Sequence, residues 1–387
     1  MKSLSEILFH TGEDRENYYN AISTPVIQSS NFVFDDLADM RAKFSDELNN
    51  HVYTRGNNPT VQILRKKVAA LEQTDDALIF SSGSAAIANA VIANVKQGDH
   101  IICVRSPYSW TTALLQKLLP RFGVMTTFVD GKNMAEIEAA IQSNTSVLYL
   151  ESPNTLFYDL QDLRACASLA KKHNLVSIID NSSCSPIFQK PATLGIDIVI
   201  HSGTKYLNGH SDVVVGTLCA NQAMIKKIFE SEYMTLGGII SPHDANLVIR
   251  GLRTLELRMK RCDETAQKLI DLLDNHSKVE KIWYPFHKDF PQLELAKSQM
   301  TGCGGLFTVQ FKAETFEQME AFVNKINVFT MAVSWGGHES LMMPSIGFYN
   351  IEGRNDTPIS WKVIRFYIGL EDVDWLWNDL ESAIEVL

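Results

Sequence analysis

The chain has 387 residues, 45% of them hydrophobic and 21% charged, enough to bury the core of two domains or of one large one. A formal net charge of −10, with no run of Lys or Arg, excludes a nucleic-acid or membrane-surface role, because nothing basic would face the phosphates. The start, Met1-Lys2-Ser3-Leu4-Ser5-Glu6, lacks the apolar stretch of a signal peptide, and Ala85 to Val95 is too short to span a bilayer. The six cysteines are scattered, with no C-x-x-C pair, so reduced thiols in a cytoplasm are expected and a disulfide framework or metal site is not.

Residues 1–55 are polar with weak periodicity and read as an N-terminal arm. Strand-like runs then alternate with helical patterns: strands at Ala77–Phe80, His100–Val104, Thr126–Val129, Ser146–Leu150, Val176–Asp180, Asp197–His201 and Asp212–Cys219. Helical stretches lie between them at Ala85–Lys96, Thr111–Leu119, Leu160–Lys172 and Met224–Glu232. Such alternation predicts an α/β unit over 56–243, a mostly parallel seven-stranded sheet covered by helices on both faces. One long helix is expected from Asp244 to Leu273, opening a smaller C-terminal α+β unit over 244–387. That unit has strands near Gly305–Phe311 and Val363–Leu370 and a final helix, and no flexible linker separates it from the first.

Open parallel sheets bind ligands at the carboxyl ends of their strands. Three features fall there. Ser82-Gly83-Ser84 follows the first strand and opens a helix, Asp180 closes Val176–Asp180, and Lys205 follows Asp197–His201 within Ser202-Gly203-Thr204-Lys205-Tyr206. An anion-binding turn, a carboxylate and an amine converging in one crevice suit pyridoxal 5'-phosphate (PLP). Lys205 would condense with its aldehyde, and Asp180 would face the pyridine nitrogen. The amides of Gly83 and Ser84, with the hydroxyls of Ser202 and Thr204, would take the phosphate. A lysine after a strand is usually only solvated, and an aspartate at a strand end usually caps a helix; it is their order and spacing that argue for chemistry. Ser202-Gly203-Thr204-Lys205 also fits the S-x-x-K pattern of serine acylases, but the K-T-G that should accompany it is absent. Gly302-Cys303-Gly304-Gly305 precedes a strand, so it reads as a tight turn and not as a dinucleotide loop.

Over essentially its whole length the sequence resembles the Cys/Met-metabolism PLP-dependent family of transsulfuration enzymes. The matching stretches are Tyr53-Thr54-Arg55 with Asn58-Pro59-Thr60, Ser82-Gly83, Ile179-Asp180-Asn181, Thr204-Lys205-Tyr206 with Gly209-His210-Ser211-Asp212, Ser334-Trp335-Gly336-Gly337 with Glu339-Ser340-Leu341, and Ile364-Arg365 with Ile368-Gly369-Leu370-Glu371-Asp372. The resemblance implies a fold-type-I PLP enzyme acting on a small sulfur amino acid, a homotetramer of two catalytic dimers with shared sites. It implies that Tyr53 and Arg55 reach the phosphate of the neighbouring subunit and that Tyr108 stacks on the cofactor ring near the reacting amine. Ser334, Trp335 and Arg365 would bind substrate, with Arg365 taking the α-carboxylate.

Ser334-Trp335-Gly336-Gly337 and Glu151-Ser152-Pro153-Asn154-Thr155 look most like the cystathionine β-lyase branch. The expected activity is therefore β-elimination of L-cystathionine to L-homocysteine, pyruvate and ammonia, with γ-acting members as the alternative. A non-catalytic, regulatory PLP-binding protein is the alternative of another class. The chain departs from the family at Ser84, where Met is common, and at Val333 and His338, where β-lyases carry tyrosine.

Overall fold

The computed structural model describes residues 2–353 and 357–387. Seven strands form the larger sheet: β1 (Asp76–Phe80), β2 (His100–Val104), β3 (Met125–Val129), β4 (Thr145–Glu151), β5 (Val176–Asp180), β6 (Ile198–Ser202) and β7 (Gly216–Ala220). Their order is β1-β7-β6-β5-β4-β2-β3, parallel except for β7, which runs antiparallel to both neighbours. The expected α/β sheet is thus present. Its last strand, however, begins at Gly216 and not at Asp212, because Thr204 holds the preceding residue: the Val215 amide donates to Thr204 Oγ1 at 2.9 Å.

Strand alternation divides the sheet between two cores. Ile102, Leu148, Leu150, Ile179 and Val199 point to one side. Cys103, Val147, Tyr149, Ile178 and Ile200 point to the other, against the helix Gly83–Ile92. The first core continues without a break into a second sheet of β8 (Val279–Trp283), β9 (Leu306–Phe311), β10 (Thr330–Met331), β11 (Leu341–Pro344) and β12 (Val363–Tyr367), ordered β10-β11-β12-β9-β8. This is the smaller α+β layer, closed by the helix Val373–Ile384. The Gly302–Gly305 segment is irregular backbone leading directly into β9, not a strand-to-helix loop.

The single long helix expected from Asp244 is two, Pro242–Leu252 and Leu255–Asp274. Arg258 explains the break. Its guanidinium donates to Gly251 O and to Tyr206 O, both at 2.8 Å, so its side chain takes a carbonyl of the first helix where the chain turns and ties that turn to a distant loop. Arg258 thereby fastens the segment carrying Lys205.

The N-terminal stretch holds short helices at Leu4–Phe9 and Leu37–Ser45, a 3-10 turn at Arg15–Tyr18, and otherwise irregular backbone. It leaves Tyr19, Ile22, Val33 and Leu37 exposed. All six cysteines are free and buried. No helix among the described residues is long and apolar enough to cross a membrane.

Candidate active site

The carboxyl ends of β1, β4, β5 and β6 surround one crevice. Ser82 caps the helix Gly83–Ile92, its hydroxyl accepting from the Ala85 amide at 3.1 Å, and the first-turn amides face outward at a site suited to an anion. Gly83 is required by crowding: a Cβ there would lie 2.9 Å from Ser202 Cβ. The turn and the Ser202 hydroxyl are therefore neighbours, and Ser84 lies exposed beside them. Thr204 is tied elsewhere, donating to Val215 O at 3.2 Å while accepting from the Val215 amide.

Asp180, at the end of β5, is buried and accepts from both the amide (3.0 Å) and the hydroxyl (2.5 Å) of Ser182. Burial raises its pKa, while the Ser182 hydrogen bonds and the charges of His201 and Lys205 pull it down. The Lys205 amine donates to Ser334 Oγ at 2.6 Å and lies 5.6 Å from the centre of the Trp335 ring. Burial first, and then the charge of Arg365, bring its pKa down to about 8, against the opposing pull of Asp180. Gly336 lets these elements meet. With φ +92 it passes over Lys205 so closely that a Cβ would lie 2.8 Å from Lys205 Cα. Ser334 itself has φ 78, an uncommon value for a side-chain-bearing residue.

Arg365 on β12 is 7% exposed and forms no ion pair among the described residues. Its guanidinium donates to Ser334 O at 3.2 Å and, more weakly, to Thr155 O at 3.5 Å. A buried cation without a carboxylate is costly, and burial accordingly lowers its pKa. Ser334 thus touches the amine through its hydroxyl and the guanidinium through its carbonyl. Trp335 is only 5% exposed and packs on Tyr206 at 5.3 Å between ring centres, beside the Lys205 amine.

Tyr108 is half-exposed, and its amide donates to Glu151 Oε2 at 2.7 Å. Tyr53 and Arg55 do not join the cluster. Both are exposed, the Arg55 guanidinium lies 5.4 Å from the Tyr53 ring, and Arg55 makes no hydrogen bond among the described residues. Asn154 spends its side-chain oxygen on the amides of Phe157 and Tyr158, at 3.1 and 2.9 Å, and so shapes the loop following β4.

Sequence reasoning named Glu151 only as part of a motif and missed Ser182. Glu151 carries the same signal as Asp180, a carboxylate closing a parallel strand, and the two are register partners across β4 and β5. Ser182 lies two residues after an aspartate, where a hydroxyl commonly bonds back to the side chain.

A buried amine, a buried carboxylate, an anion turn and a guanidinium without an ion pair fit PLP and an amino-acid carboxylate together. Comparison with known proteins agrees. The sequence model described as "Cys/Met metabolism PLP-dependent enzyme" matches residues 5–385. The chain is 37% identical to an L-methionine gamma-lyase of Fusobacterium nucleatum over 96% of its own length and 95% of the relative's. It is 33% identical to a cystathionine beta-lyase of Lactococcus lactis, with 100% of both chains covered. The crystal structure of metB from Corynebacterium glutamicum superposes with a TM-score of 0.92 at 34% identity, covering 100% of this chain and 98% of that one. The chain belongs to the Cys/Met metabolism PLP-dependent enzyme family and is a pyridoxal-phosphate-dependent lyase with the type I fold.

Proposed function

We propose that the protein cleaves the Cβ–sulfur bond of a thioether amino acid of the L-cystathionine type, releasing a thiol, pyruvate and ammonia. The observation that carries the amino-acid part is Arg365: a buried guanidinium with no ion pair, tied through Ser334 to the Lys205 amine, suits an incoming α-carboxylate next to the proton to be removed. Bound PLP supplies the electron sink that stabilises negative charge at Cα. Gly83, Ser84 and Ser202 hold its phosphate, with Thr204 joining only by exchanging its Val215 partner. Asp180 keeps the proton on the ring nitrogen, and Tyr108 covers the ring face.

In this reading Arg365 fixes the substrate carboxylate, and Ser334 aims the Lys205 amine. Lys205, uncharged near neutral pH in an appreciable fraction, removes the Cα proton. Lys205 or Tyr108 then protonates the departing sulfur. Cleavage at Cβ follows from that one proton removal, whereas γ-cleavage needs a second proton taken from Cβ. The Ser334-Trp335-Gly336-Gly337 stretch and the short segment after Glu151 support the β assignment through their likeness to β-lyases.

A second reading, γ-cleavage, is favoured by the names of the relatives, among them the methionine gamma-lyases and a cystathionine gamma-lyase of Bacillus subtilis at 35% identity. Incubation with L-cystathionine decides between them: pyruvate and homocysteine are expected, and dominant 2-oxobutyrate and cysteine would overturn the β assignment. The exposed arm and the unengaged Tyr53 and Arg55 support a site completed by a second copy of the chain, within a homotetramer of two such dimers.

A further inference from the structure

Glu151 closes β4 directly beside Asp180, their Cα atoms paired in the sheet, so both carboxyls project from the same face at the same end. Both residues are buried, at 2% and 7% exposure. Their hydrogen bonds are unequal. Asp180 receives two donors from Ser182, while Glu151 receives the Tyr108 amide on Oε2, and its Oε1 has no hydrogen-bond partner among the described residues. Two buried carboxylates side by side in the sheet disfavour each other's charge, and the member with more donors is the one that keeps it.

We propose that Glu151 is a positioning residue: as a neutral carboxylic acid it pins the backbone of Tyr108 over the cofactor ring and leaves Asp180 the single negative charge beneath the pyridine nitrogen. The proposal rests on the roles given to Asp180 and Tyr108 above. The groups facing Glu151 are consistent with it. Cys103 from β2 and Tyr149 on β4 lie on the same side of the sheet, and burial pushes both well above their ordinary values, so both stay neutral and add no further negative charge. The cations felt nearby, His201 and Lys205, act on Asp180. Burial and then the Asp180 charge raise the Glu151 carboxyl to about 8, although the Tyr108 and Thr155 backbone pulls the other way. A neutral acid still accepts the Tyr108 N–H through its carbonyl oxygen, so neutrality and positioning are compatible.

The test is infrared difference spectroscopy of the holoenzyme through a pH titration from 6 to 10, with the cofactor's absorption spectrum and turnover followed in parallel. A carboxylic-acid C=O band should be present at neutral pH, fade as pH rises through about 8, and be missing from Glu151→Gln. Glu151→Gln, a neutral isostere, should keep its cofactor spectrum and neutral-pH turnover within about threefold. Glu151→Ala, which frees the Tyr108 amide, should weaken cofactor binding about tenfold. A band that survives in Glu151→Gln and disappears in Asp180→Asn would reverse the assignment. No such band, or a Gln variant as impaired as the Ala variant, would overturn the proposal. The infrared result stands apart from the Lys205 reading, which borohydride fixation of the cofactor tests by itself.

Discussion

The Lys205 amine should react as a base far more readily than a solvated lysine. Held near 8 in place of 10.5, it is uncharged in ~9% of molecules at pH 7, against ~0.03% for an ordinary side chain, a gain of ~300-fold. The sign follows from the causes: burial and the Arg365 charge both disfavour the ammonium, so the neutral base appears at lower pH. Removing the cation in Arg365→Leu should move the titration upward and cut the neutral-pH reactivity by several-fold, because one nearby charge in a partly screened site amounts to about a kcal/mol. The assay is pulsed amine acylation of the cofactor-free protein at a series of pH values, with mass spectrometry of the Lys205 peptide. Modification should follow an apparent pKa near 8 in the parent protein and a higher one in the variant. A parent value near 10.5, or an unchanged value in Arg365→Leu, would refute the electrostatic reasoning.

Borohydride reduction of the holoenzyme should fix a pyridoxyl group on the Lys205 peptide, and Lys205→Ala should bind PLP non-covalently and lose essentially all turnover. An inactive Arg55→Ala chain mixed with an inactive Lys205→Ala chain should regain part of the activity; verified hybrids without recovery would sink the shared-site arrangement. Gly336→Ala forces a Cβ against Lys205 Cα at 2.8 Å in a left-handed backbone conformation, and should cost about 1–3 kcal/mol in denaturant unfolding while disturbing the cofactor spectrum. Ser334→Ala frees the amine and should lower kcat while leaving KM nearly unchanged, since the Ser334 carbonyl still holds Arg365.

The sequence alone determined the large sheet. Buried parallel strands read as short apolar runs, and residues at their carboxyl ends, Asp180 and Lys205 among them, are legible because that is where such sheets bind ligands. Its motifs also identified the family and the cofactor. It was weaker where local pattern competes with distant contacts. β8 was missed because Glu280 and Lys281 stand on an exposed edge, and β10 because it has two residues. The helix break at Arg253-Thr254 depends on Arg258 reaching Tyr206, 52 residues away.

The contacts that join the crevice were decided by tertiary structure alone. Ser334 meets the Lys205 amine across 129 residues, and Arg365 meets the Thr155 carbonyl across 210. No spacing rule reaches that far. The difference between Asp180 and Glu151 is also tertiary: both close parallel strands, and only the folded chain gives one two donors and leaves the other an unpartnered oxygen. Ionisation depends on desolvation and neighbours, and these exist only once the sheet has formed.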